Sequence, residues 1–298
     1  MQAQPAAASA RRAIADYLEL TKPGITGLMV FTALAGLWLA SGGRPAFPAL
    51  VFTLLGTALA TSSAAVFNNI LDRDLDALMA RTATRPLPTG RLKSIEAGVF
   101  GSILAAASLT ILGLLVNPLS ALLALVGMIS YVGIYTAWLK RTSPLCTVVG
   151  GVPGAIPPVI GWVGVTGQLD AGALTLFAIL FLWQPPHFWA LALYKQAEYR
   201  RAGFKVLPVV HGNRVTQRQI LSYTLVLLPI SLVLIPFGPV GWGYGLVASA
   251  LGLGFIAMAW RLWRTDASTT EVLDANARGV FFTSIAYMGL LMGSLFVI

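Results

Sequence analysis

The chain has 298 residues, of which 57% are hydrophobic and only 10% charged, with a formal net charge of +9. A water-soluble domain carries about 25% charged residues, so this composition excludes one and points to a protein whose main solvent is lipid.

In chain order, charge-free intervals run from Pro23 to Gly43, Pro45 to Leu71, Ala97 to Leu139, Thr142 to Leu169, Ala171 to Tyr194, Gln219 to Trp260 and Gly279 to Ile298. A helix crossing the bilayer core needs about 20 apolar residues, so five intervals hold one helix each. The third and sixth are about twice as long and break at Asn117-Pro118 and at Phe237-Gly238-Pro239, where a turn is natural. The expected fold is all-α and polytopic, with nine transmembrane helices in one domain over residues 23–298 and a cytoplasmic N-terminal tail over 1–22. Barrel strands alternate in polarity, and these segments are continuously apolar. The single cysteine, Cys146, forms no disulfide within the chain and reads as a small buried hydrophobe.

With nine helices, 19 of the 20 Lys and Arg residues fall on one side and only Arg44 on the other. The positive-inside rule makes that side cytoplasmic, so the basic balance needs no nucleic-acid partner. The N-terminal MQAQPAAASARR lacks the apolar core of a signal peptide, and a bacterial plasma (inner) membrane is expected. Asp170 is the only acidic residue of the eleven on the outer side. Acidic residues contribute little to topology, so the cytoplasmic face uses its carboxylates for something else.

The second helix ends in FNNILDRDLDALMARTATRPLPTGR. Asn69, Asp72 and Asp76 are spaced i, i+3 and i+7, one stripe of a continuing helix, with Asn68 on its flank. Hard oxygen donors in such a group suit Mg²⁺, which is usually held by one or two carboxylates with water and substrate phosphate. Arg81 and Arg85 follow, and guanidinium forks match phosphate oxygens. The stripe therefore reads as a Mg²⁺-diphosphate site, against the plainer reading of a solvated charged loop, which suits Arg73 and Asp74.

The sixth helix ends in LWQPPHFWALALYKQAEYRRAGFKVLPVVHG. This second polar patch, four helices after the first and on the same side, makes a parallel repeat, unlike the inverted repeat common in transporters. Tyr194, Lys195 and Glu198 occupy the helix end, where Glu198 offers a further carboxylate to the metal. Arg200 and Arg201 read as a snorkelling collar. Pro185 and Pro186 free backbone carbonyls that must be satisfied inside the bundle. Beside them His187 is a candidate for haem iron or a substrate hydrogen bond, or a satisfied packing residue.

Together these residues resemble the intramembrane prenyltransferase superfamily typified by 4-hydroxybenzoate polyprenyltransferase, and within it the haem-directed branch, the protohaem IX farnesyltransferases. The superfamily mark is NNILDRDLD (Asn68 to Asp76). The branch marks are ELTKPGI, DRDLDALMARTATRPLPTGR, YTAWLKRTSP, GGVPGAIPPVIGW, LWQPPHFWALAL, YKQAEYRRAGFKVLPVV and ARGVFFTSIAY, in order from Glu19 to Tyr287. Where the superfamily's second motif commonly carries two aspartates, this chain has Lys195 and Glu198, and Cys146 stands where many relatives have asparagine.

The resemblance implies Mg²⁺-dependent transfer of farnesyl from farnesyl diphosphate to the 2-vinyl group of haem B, giving haem O, with haem as substrate and not prosthetic group. It implies Asn69, Asp72, Asp76 and Glu198 around the metal, and Lys22, Arg81, Arg85 and Lys195 as phosphate-side cations. Tyr135, Tyr194 or Trp189 would face the carbocation, and a haem A synthase or terminal-oxidase assembly would be a partner. Two other readings stand beside it. A prenyl transfer to a quinone or chlorophyll precursor would use the same diphosphate half, and an anion or cofactor transporter would place its polar residues at the bilayer midplane.

Overall fold

A computed structural model describes residues 6–266 and 270–297. The first five residues of the expected tail and Ile298 lie outside them. Eleven helices organise the chain: α1 (Ala6–Leu20), α2 (Pro23–Ala40), α3 (Phe47–Asp76), α4 (Ser94–Leu115), α5 (Pro118–Thr142), α6 (Cys146–Thr166), α7 (Ala171–Tyr194), α8 (Gln196–Arg201), α9 (Leu207–Phe237), α10 (Trp242–Arg264) and α11 (Thr270–Ser294). There is no strand among the described residues. Eight helices, α2 to α7 with α9 and α10, are long and apolar enough to cross a membrane. The 25-residue α11 has a comparable length but carries Glu271, Asp274 and Arg278 in its first turns.

Local sequence explains the boundaries. Asn117 caps α5, its side chain accepting from Ser120 N at 2.8 Å, and Pro118 takes the first-turn position where a missing N–H costs nothing. The same Asn117 donates to Val163 O of α6 at 2.9 Å, so the turn is also pinned to its neighbour. Asp170 caps α7 through Ala173 N at 3.1 Å and accepts from the Trp162 indole at 3.1 Å. Two helices run further than charge-free intervals suggest. α3 continues to Asp76, and α9 begins at Leu207 with a break at Gly212, whose φ of 81° is left-handed and suits glycine. A charge stops a helix from being buried in lipid but not from being a helix.

The expected tail is an ordered element where it is described. α1 buries Leu20 against Val66, Leu87, Leu92 and Ala97 and sets Tyr17 edge-on to Phe100 at 5.0 Å. Asp16 accepts from Arg91 at 2.9 Å. The end of α1 is thereby laid along α3 and α4.

The helices pack in sequence, with α6 and α7 shared between two groups. α6 lies against α2, α3 and α5, while α7 lies against α6, α9 and α11, and α10 closes the second group. In lipid, association relies on close packing, because the tails are as apolar as leucine. Small residues provide it here. A Cβ on Gly161 of α6 would lie 1.9 Å from Ala33 O of α2, and one on Gly36 of α2 would lie 2.1 Å from Pro158 O. α3 and α4 are tied by Ser63 donating to Gly101 O at 2.8 Å and Ser108 donating to Gly56 O at 2.7 Å. The Gln184 amide of α7 donates to Gly151 O of α6 at 2.8 Å.

Candidate active site

Near its polar end α3 carries Asn68, Asn69, Asp72 and Asp76, all buried. Burying carboxylates and amides requires partners, and for this group they come from three other parts of the chain. Lys140, at the end of α5, donates to Asp72 Oδ2 at 2.6 Å, and the Asn68 amide donates to the same oxygen at 2.9 Å. Arg85 donates to Asp76 Oδ2 at 2.7 Å and to Asn69 Oδ1 at 3.3 Å. Lys22, at the head of α2 in a left-handed conformation, donates to Asn68 Oδ1. Asn69 turns its amide to the backbone, donating to Leu20 O at 2.9 Å and Ala65 O at 3.0 Å, and so fixes the end of α1 against α3. Asp72 Oδ1 is buried without a hydrogen-bond partner. An orphaned anionic oxygen among hard donors fits a small, hard cation such as Mg²⁺.

Beneath this group lies a cavity of about 300 Å³, within the range of ligand pockets. Lys22 and Lys140 stand at its polar end, and Tyr199, Phe204 and Val206 from the segment after α7 also line it. Lys140 sits 5.0 Å from the Phe204 ring centroid, and so links the carboxylate to this covering segment. One wall holds Tyr131 and Tyr135, stacked at 5.5 Å with 21° between their planes. They belong to a π-helical stretch, Ser130–Leu139, whose wider turn lets Thr136 donate to Tyr131 O at 2.8 Å while receiving the Asn68 amide at 3.0 Å. Such stretches are rare and frequently mark functional sites. Gly150 admits the ring, since a Cβ there would lie 2.5 Å from Tyr135 Cδ2.

The electrostatics follow from this crowding. Burial pushes the Lys22 ammonium down to about 7, helped by Arg85 and Lys140 and opposed by Asp72 and Asp76. The unfolded chain keeps the ordinary value of 10.5, so unfolding takes up a proton between about pH 7 and that value, and stability rises with pH across the window. The melting temperature of the metal-free protein in detergent is expected to climb from pH 7 to pH 9, and Lys22→Met to flatten the climb. A parent and variant with parallel pH profiles would contradict this. Burial also pushes the Tyr199 hydroxyl up, with Arg81 opposing.

Of the expected site residues, Asn69, Asp72, Asp76 and Arg85 come together, and Lys22 joins them through Asn68. Tyr135 lines the cavity below. Glu198 is half-exposed and pairs with Lys195 at 2.7 Å. It does not join Asp72 and Asp76, and among the described residues no three His, Cys, Asp or Glu side chains converge to hold a metal. Arg81 is exposed. His187 does not line the cavity. It stacks between Trp183 at 4.8 Å and Phe281 at 4.6 Å and meets Ser284 Oγ at 2.7 Å, in the seam between α7 and α11. Tyr194 lies in that seam as well, 5.8 Å from Phe281 with Arg278 5.4 Å from its ring centroid. Four contributors escape the sequence pattern: Asn68 lies on the flank of the stripe, and Lys140, Tyr131 and Thr136 lie on a different helix. The available signal is YTAWLK, which puts a lysine at a membrane boundary five residues after a tyrosine.

Residues 29–285 match the model of the UbiA prenyltransferase family. The chain is 45% identical to the protoheme IX farnesyltransferase of Gloeobacter violaceus over 95% of its own length and 93% of the relative's. It is 48% identical to the protoheme IX farnesyltransferase of Trichodesmium erythraeum, over 93% and 83% respectively. Among solved structures, a digeranylgeranylglyceryl phosphate synthase superposes with a TM-score of 0.79 at 18% identity, covering 95% of this chain and 97% of that one. A UbiA homologue from Archaeoglobus fulgidus bound to DMAPP and Mg²⁺ gives 0.66 at 16% identity, covering 92% and 99%. A family model matched over residues 29–285 and relatives at 45–48% identity over most of the length agree, and the chain belongs to the UbiA prenyltransferase family.

Proposed function

We propose that this protein transfers the farnesyl group of farnesyl diphosphate to the vinyl group of haem B, yielding haem O, in a bacterial inner membrane with its polar end cytoplasmic. Nine spans are proposed, α11 being the ninth. The observation that carries the chemistry is the orphaned, buried Asp72 carboxylate set between Lys140, Asn68 and a cavity walled by aromatic faces. The haem acceptor is supported by relatives named for that activity at 45–48% identity, over a quinone or chlorophyll precursor. A transporter is disfavoured because the charged groups gather at one end of the bundle.

Asp72 and Asp76, with the side-chain oxygens of Asn68 or Asn69, would hold Mg²⁺. When bound, the ion would neutralise the diphosphate and make it a better leaving group. Lys22, Lys140 and Arg85 would exchange their present carboxylate and amide partners for phosphate oxygens, so the side chains that hold the polar end of α3 also recognise substrate. As the C1–O bond breaks, diphosphate leaves with the electron pair. The stacked faces of Tyr131 and Tyr135 would stabilise the allylic cation left behind. The vinyl carbon then attacks C1, and water adds to the resulting cation and loses a proton, which gives the hydroxyethylfarnesyl side chain. The segment bearing Tyr199 and Phe204 would keep other water from the allylic cation.

The test is to incubate the purified protein with haem B, farnesyl diphosphate and Mg²⁺, with and without chelator, and to weigh the extracted porphyrins. A chelator-sensitive hydroxyethylfarnesyl haem is the expected product. Consumption of farnesyl diphosphate only when a quinone precursor replaces haem would overturn the acceptor assignment.

A further inference from the structure

The end of the cavity away from the carboxylates is lined by buried residues. On each of three helices the lining residue furthest from the polar end falls at a similar depth: Thr57 on α3, Ala124 on α5 and Ile160 on α6. All three are buried, at 1%, 2% and 2% exposure. Thr57 turns its hydroxyl back to Thr53 O at 2.8 Å, and so offers its methyl to the cavity. The layer beneath is solid. Thr53, Ser120 and Val163 are fully buried, and a Cβ on Gly164 would lie 2.7 Å from Thr53 Oγ1. Above the floor the walls hold small side chains, Ala60 and Ala64 of α3 and Gly127 of α5, beside the larger Met29, Met128 and Ile156, and a Cβ on Gly127 would meet Ile156 at an ordinary 3.5 Å.

From Asn68, at the level of the cations, to Thr57 is eleven residues, about 16 Å along a helix rising 1.5 Å per residue. An extended chain advances about 1.2 Å per bond, the extended backbone rise divided over its three bonds. The main chains of geranyl, farnesyl and geranylgeranyl groups, with seven, eleven and fifteen bonds, therefore reach about 8, 13 and 18 Å. The first leaves the bottom of the cavity empty and the third overshoots it.

On the reading of the site as a prenyl diphosphate site, we propose that Thr57, Ala124 and Ile160 form the floor that selects a three-unit prenyl chain. Ile160 is the stop for longer chains, and the small Ala124 leaves room for the third unit. One methylene too many or too few in an apolar pocket changes discrimination about tenfold or more, so a change of several carbons at the floor is readily measured.

The experiment measures dissociation constants of geranyl, farnesyl and geranylgeranyl diphosphate with Mg²⁺ by calorimetry on the full chain in detergent, with no acceptor present. Ile160→Ala is expected to shift the ratio of geranylgeranyl to farnesyl affinity about tenfold towards the longer chain, and Ala124→Leu the ratio of geranyl to farnesyl about tenfold towards the shorter. Ile160→Val, which removes only a methyl, stands in if Ile160→Ala does not fold, with a smaller shift in the same direction. Ratios within twofold of the parent in folded variants of both positions would overturn the floor. Binding is read without haem, so failure of the parent to prenylate haem would sink the proposed acceptor and leave this result standing. Failure of the parent to bind any of the three would sink both.

Discussion

Replacing Asp72 with alanine is expected to lower turnover on the order of 10³-fold, the scale on which one preorganised electrostatic group acts on a developing charge, while the protein stays monodisperse in detergent. Asp72 is 2% exposed, one oxygen is taken by Lys140 and Asn68, and the other has no partner in the protein. Its loss removes the oxygen proposed to face the metal and releases Lys140 from the geometry in which it would meet phosphate. Asp72→Asn separates charge from shape: it keeps the volume and one acceptor, and its turnover should fall nearly as far. Titration with Mg²⁺ and a prenyl diphosphate should show weakened joint binding in both variants. Normal turnover by Asp72→Ala would remove the metal assignment from α3.

The largest effect on folding is expected at the crossing of α2 and α6. Gly161→Val should cost more than about 4 kcal/mol, beyond the usual range of overpacking, and should leave little folded protein to purify. The atom that an added Cβ meets is Ala33 O, with Leu37 N 2.9 Å away, so backbone would have to yield where no side chain can swing aside. Gly36→Val should fail for the reciprocal reason, against Pro158 O. Gly289→Ala on α11 is the control, because a Cβ there meets nothing within 4 Å. A Gly161→Val protein melting within a few degrees of the parent would show that the two helices do not cross this closely. Since α6 also carries Ile160 and Gly150, the same crossing sets the floor and wall of the cavity.

Much of this was legible in the residues themselves. The break between α4 and α5 followed from Asn117-Pro118, because a cap and a ring that fixes φ act locally. The interval from Ala171 to Tyr194 coincides with α7, whose start is set by the Asp170 cap. The stripe of Asn69, Asp72 and Asp76 was readable because the three lie on one helix, where a 3.6-residue period fixes relative direction. Periodicity failed once two helices were involved. Lys140 reaches Asp72 across 68 residues of sequence and Lys22 reaches Asn68 across 46. His187 and Tyr194 share α7 with Gln184 and Phe188, yet the rotation of that helix gives the cavity the second pair and the α11 seam the first. That rotation is set by what α7 packs against, through Gln184 on Gly151 O and Trp183 on Ser284 O at 2.7 Å. The lipid solvent, most of the spanning helices and the polar stripe at the end of α3 were readable in the residues, because composition, caps and period are local properties of a chain. Only the tertiary structure decided which cations meet those carboxylates and how deep the cavity runs. Those depend on helix crossings made by backbone contact at glycines, and a glycine carries no mark of the neighbour it will touch.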